Sequence, residues 1–97
     1  MKNQKKLPEA WYLEKGDEIK INGKKFRVTK IDGVPEDDPY LGPKPEKWFY
    51  LTDNYRLDVT EKGMNFGKVI PQDKYNYDIK SLKIKSFKIL KSKYFDS

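Results

Sequence analysis

Apolar and polar positions alternate most clearly between residues 18 and 32. Ile19 and Ile21 flank Lys20 and follow Glu18, which is the two-residue period of a half-buried strand. Asn22-Gly23 comes next, and both residues accept the positive φ that a tight type I′ hairpin turn needs. Phe26 and Val28 then alternate with Arg27 and Thr29, while Ile31 falls out of phase. That slip predicts a bulge at Thr29 or Lys30. Upstream, Trp11, Tyr12 and Leu13 lead into a turn at Lys15-Gly16-Asp17 that delivers the chain to the hairpin. Residues 48–52 and 55–60 read as two more strands joined by a turn at Asp53-Asn54, with Leu57 and Val59 on one face of the second. Lys62-Gly63 ends that strand, and residues 66–70 form a further short one that stops at Pro71.

Two regions follow other rules. Residues 33–45 hold Pro35, Pro39, Pro43 and Pro45, which remove backbone donors and exclude a central strand, so a long Pro-rich loop is expected there. In residues 79–94, Leu82 and Ile84 alternate with Lys83 and Lys85, but Phe87, Ile89 and Leu90 break the phase. A helical wheel also gathers Ile79, Leu82, Ser86, Phe87, Leu90 and Tyr94 in one broad sector. The reading preferred here is a strand with a bulge, because no helix cap precedes it and β-branched and aromatic residues are frequent. Together these segments predict an all-β domain: a small barrel or rolled antiparallel sheet of about five to six short strands.

Composition changes this picture in three ways. At 97 residues the chain has room for one domain, here residues 9–97 behind a basic, flexible segment at residues 1–8. Only 36% of residues are hydrophobic and 37% are charged, yet 14% are aromatic, enough large side chains to build a core. The absence of Cys and His removes disulfides, thiolate nucleophiles, imidazole bases and ordinary zinc sites. No apolar stretch follows the basic residues 1–6 as a secretory signal would require, and none reaches membrane-spanning length; a cytoplasmic protein without membrane contact is expected.

The remaining chemistry is thin. Glu36-Asp37-Asp38 is the densest acid cluster, but adjacent carboxylates lack the spacing of a calcium loop and read as a solvated acidic loop. Asp17 and Asp53 read as turn residues rather than a catalytic pair. Ser81, Ser86 and Ser92 lie among exposed lysines, which does not make a Ser-Lys dyad, and the six glycines are scattered at turn positions rather than in a phosphate loop. No enzyme, metal or cofactor is expected.

Charge is the strongest functional signal. The chain carries a net +6, with Lys2, Lys5 and Lys6 at one end and Lys83, Lys85, Lys88, Lys91 and Lys93 near the other, around an acidic middle. Lysines neutralise phosphates, and aromatic faces stack on unpaired bases. Trp48 and Tyr50 are the aromatic candidates: they point outward if Phe49 and Leu51 are core, and are themselves core in the opposite register. These residues give the leading expectation, a non-enzymatic protein that contacts nucleic-acid backbone. Arginine is confined to Arg27 and Arg56, so base-specific reading is not expected. The competing expectation is a protein-interaction or structural module, such as a viral or mobile-element accessory or a host-factor inhibitor. Its surface would be Pro39, Tyr40, Leu41 and Pro43, a segment able to adopt a polyproline II conformation.

Leu13, Gly16-Asp17, Ile19, Ile21, Gly23, Phe26, Val28 and Ile31 resemble the opening of SH3-like small barrels, and more loosely the KOW-type modules of transcription and translation proteins. Phe26 stands where the KOW pattern has a further glycine. The resemblance covers residues 13–31 and implies an SH3-like barrel, a fold used to bind RNA, DNA or protein.

Overall fold

A computed structural model describes residues 8–34, 46–74 and 77–94. The chain is all-β, with strands β1 (Glu18–Ile21), β2 (Lys24–Val34), β3 (Glu46–Leu51), β4 (Tyr55–Thr60), β5 (Gly63–Pro71), β6 (Tyr77–Leu82) and β7 (Phe87–Lys91). Single turns of 3-10 helix occupy Glu9–Tyr12 and Thr52–Asn54. All pairings are antiparallel, and the seven strands run in the order β6-β5-β4-β3-β2-β1-β7.

The hairpin forms as its turn chemistry dictates. Asn22 and Gly23 adopt φ of 53° and 84°, and the turn sets Ile21 opposite Lys24 and Lys20 opposite Lys25. β2 is long because it serves two partners: residues 24–27 pair with β1 and residues 28–34 with β3. The register shifts between Val28 and Lys30, so Thr29 is the bulged residue, and its hydroxyl donates to the Tyr50 carbonyl. A bulge bends and twists the strand, which lets β2 turn from one wall of the core to the other. The β3–β4 turn at Asp53 and Asn54 is likewise left-handed, with φ of 64° at both.

The core lies between the β7-β1-β2 wall and the β3-β4-β5 wall. Ile19, Ile21, Phe26, Val28, Phe49, Leu57, Val59 and Phe66 are buried in it, and Trp11 and Leu13 seal one end. Phe26, Tyr55 and Phe66 form an aromatic trio with ring centroids 5.0 to 5.5 Å apart. Fully burying each such side chain contributes about 1.5–3 kcal/mol, so this cluster is the main favourable term for the fold. Lys47 pins the Glu9–Tyr12 turn, donating from Nζ to the Trp11 carbonyl at 3.0 Å and lying 4.6 Å from the Trp11 ring centroid.

Three expectations need correction. Among the described residues the strands number seven rather than five or six, because the C-terminal segment makes two strands; β5 also starts earlier than residue 66. That segment is neither a helix nor one bulged strand. β6 pairs with β5 and β7 with β1, and residues 83–86 carry the chain between them. The sheet does not close on itself, since β6 and β7 end the strand order and do not pair with each other. Most of the expected proline-rich loop, including Pro39, Tyr40, Leu41 and Pro43, lies outside the described residues, as do residues 1–7 and Glu36-Asp37-Asp38.

Candidate nucleic-acid interface

Strand alternation decides which lysines gather. Ile19 and Ile21 enter the core, so Lys20 between them points outward. Phe26 is buried, which sends Lys25 and Arg27 out, and Phe87 and Ile89 pack on the core, which sends Lys88 out. Register then aligns them: Lys20 sits opposite Lys25 on β2 and opposite Lys88 on β7. The result is an exposed row, Lys25–Lys20–Lys88, across three adjacent strands. At about 4.8 Å per strand the row spans roughly 10 Å. None of the three forms an ion pair with a described acid. The neighbouring row is different, for Glu18 stands between Arg27 and Lys91, with Arg27 Nη2 3.4 Å from Glu18 Oε2.

The other C-terminal lysines are placed by long-range clamps. Asn22 donates from Nδ2 to the Lys83 carbonyl at 2.8 Å, and its Oδ1 accepts from the Lys85 and Ser86 amides at 2.6 and 3.1 Å. Its own amide donates to the Ser86 carbonyl. The hairpin tip therefore holds the backbone of Lys83 and Lys85 beside the row. At the far end of β7, the Lys93 amide donates to Oδ1 of the buried Asp17, whose Oδ2 accepts from the Glu14 amide at 2.7 Å. Asp17 is the turn residue expected, but it also ties the C-terminal segment to that turn. Of the expected lysines, Lys88 lies in the row, Lys83 and Lys85 at the tip, and Lys91 and Lys93 further along the β7 edge. Lys2, Lys5 and Lys6 fall outside the described residues.

Trp48 and Tyr50 take the outward register, opposite to the buried Phe49 and Leu51. They do not stand free as stacking platforms. The Arg56 guanidinium lies 5.7 Å from each ring centroid, and Lys30 Nζ lies 5.5 Å from that of Tyr50. Trp48 Nε1 donates to Glu46 Oε2 at 2.6 Å, and Arg56 forks onto Asp58 at 2.7 and 3.0 Å. Burial pushes the Asp58 carboxyl above its ordinary value, with Glu46 and Asp78 acting the same way and Arg56 pulling back. Burial also acts to lower the Arg56 pKa, but Asp58 and Tyr50 outweigh it and hold the guanidinium above its usual value. This cluster packs the outer face of β3 and β4 with the chain's own cations.

Lys20 and Lys25 were not among the sequence candidates, although a signal existed. A two-residue turn at Asn22-Gly23 fixes Lys20 against Lys25 at once. The pairing of Lys88 with Lys20 carries no such local mark. The class defined by these features is a small antiparallel all-β protein with a like-charged row across one wall. No protein-family model, curated protein or solved structure matches the chain.

Proposed function

We propose that the protein binds nucleic-acid backbone, without catalysis, through the wall that carries the Lys25–Lys20–Lys88 row. The supporting observation is the row itself. Like charges directly opposite one another destabilise a sheet, and these exposed positions could hold any polar residue. A feature that breaks a local rule without serving the fold points to function. Phosphates laid along the row replace that repulsion with attraction and release condensed counterions. Lys83 and Lys85, held at the hairpin tip, extend the positive field.

Arginine supports backbone rather than base reading, because Arg27 and Arg56 are engaged by Glu18 and Asp58. The SH3-like expectation belongs to the same reading: the chain's last strand returns to flank its first, and β2 bends at a bulge to serve both walls.

The test is a salt titration of binding to generic RNA and DNA strands. Each phosphate contact contributes about 0.7 to the logarithmic salt slope for a single strand, so the row accounts for a slope of about 2. Replacing Lys20, Lys25 and Lys88 together by Gln is expected to remove that part. No binding at low salt, or an unchanged slope in the triple variant, would refute the proposal.

A further inference from the structure

A cleft of about 320 Å³ opens beyond the Thr29 bulge, lined by Lys30, Tyr50, Asn54, Tyr55 and Tyr77 among others. Tyr55 is a fixed wall, since its ring is stacked on Phe66 and Lys24 Nζ lies 5.1 Å from its centroid. Tyr77 differs: it is 54% exposed, and no described ring or cation packs on it. Asn54 is exposed at the left-handed tip of the β3–β4 turn, and its carboxamide bonds to no described residue. The cleft therefore combines an aromatic face that no described ring or cation covers, an amide that both donates and accepts, and a lysine.

The cleft is joined to the lysine row by the Thr52–Asn54 turn. On the row side, Thr52 Oγ1 accepts from the Arg27 amide, while Asp53 of the same turn pairs at 3.3 Å with Lys24, whose Nζ lies over the Tyr55 wall of the cleft. A shallow depression of about 370 Å³ between Lys25, Arg27 and Thr52 borders the same turn. On the other side Asn54 and Tyr55 line the cleft. Lys25 and Lys30 lie on one strand, roughly 17 Å apart at the rise of β-structure, so a strand that starts on the row reaches the cleft within a few nucleotides.

We infer that the cleft seats one unpaired base of a single-stranded nucleic acid whose phosphates run along the lysine row. This rests on the backbone-binding reading above. The base stacks on Tyr77, Asn54 meets its polar edge, and Lys30 neutralises the adjoining phosphate. A duplex offers no free base face, so the cleft adds affinity only for unpaired strands.

The experiment compares two labelled strands of about twelve nucleotides, one of thymidylate or uridylate and one abasic with the same phosphate count. Fluorescence anisotropy is expected to show at least about five-fold tighter binding of the base-bearing strand. Tyr77→Ala is expected to abolish that preference, and Tyr77→Phe, which keeps the ring, to restore it. Equal, salt-sensitive binding of both strands by the unmodified protein would overturn the cleft while leaving the lysine row intact. A preference that persists in Tyr77→Ala would overturn it too. Binding of neither strand at low salt would overturn both readings.

Discussion

Lys20 has a like-charged neighbour on each side, which makes stability and binding move in opposite directions when it is changed. Consider Lys20→Glu. Two unit charges about 6 Å apart in water interact by about 0.7 kcal/mol. Screening at physiological ionic strength reduces this to roughly 0.3 kcal/mol per pair. Relieving two repulsions and creating two attractions then stabilises the fold by about 1 kcal/mol, with Glu18 on the same face of β1 offsetting part of it. In a domain of this size that raises Tm by about 5 °C. Urea denaturation followed by the fluorescence of Trp11 and Trp48 measures the free-energy gain, and a thermal melt the shift in Tm. The gain should grow as salt is lowered, and nucleic-acid affinity should fall in the same variant. A Lys20→Glu protein less stable than the parent, or one whose gain ignores salt, would show that the row is not electrostatically strained.

Three further outcomes are expected. A Cβ added at Gly67 falls on the Lys80 carbonyl, so Gly67→Ala should cost about 1–3 kcal/mol and lower hydrogen-exchange protection along β5 and β6. Asn22→Gly keeps the left-handed turn but removes three side-chain hydrogen bonds at a solvated site, a loss of about 1–2 kcal/mol in chemical denaturation, and Asn22→Ala should lose about 1 kcal/mol more to backbone strain. The raised Asp58 pKa favours the folded state below the ordinary carboxylate range, and this contribution is lost as pH rises through the raised value. Urea midpoints should therefore show the parent losing ground to Asp58→Asn between acid and neutral pH; a trend of the opposite sign would contradict the assignment.

Local chemistry explains what could be read from the chain alone. Asn22-Gly23 carries its own backbone preference, so the hairpin and its register were legible. Leu57 and Val59 alternate cleanly and are buried as their pattern implies. Trp48 and Tyr50 were ambiguous because both faces of β3 are apolar, and only the packing of Phe49 and Leu51 against the opposite wall decides the face. The C-terminal segment misled for a related reason. Its two strands belong to opposite ends of the sheet, so the apolar phase changes between them and imitates a bulge or a helix. The row of lysines was half legible: Lys20 and Lys25 are set by a tight turn, Lys88 only by a long-range pairing.

The docking of β7 has a consequence for how the protein acquires its complete lysine row. The contact between Asp17 and Lys93 spans 76 positions of chain, and that between Asn22 and Ser86 spans 64. Closures of this length carry a large entropy cost and make folding slow relative to hairpin formation. The meander from β1 to β6 pairs neighbours in sequence, whereas the third lysine arrives only when the final strand returns. An anionic strand that spans the complete row thus favours the docked state by mass action. Bound nucleic acid would act as a clasp on the last strand, slowing amide exchange in β7 more than elsewhere in the sheet.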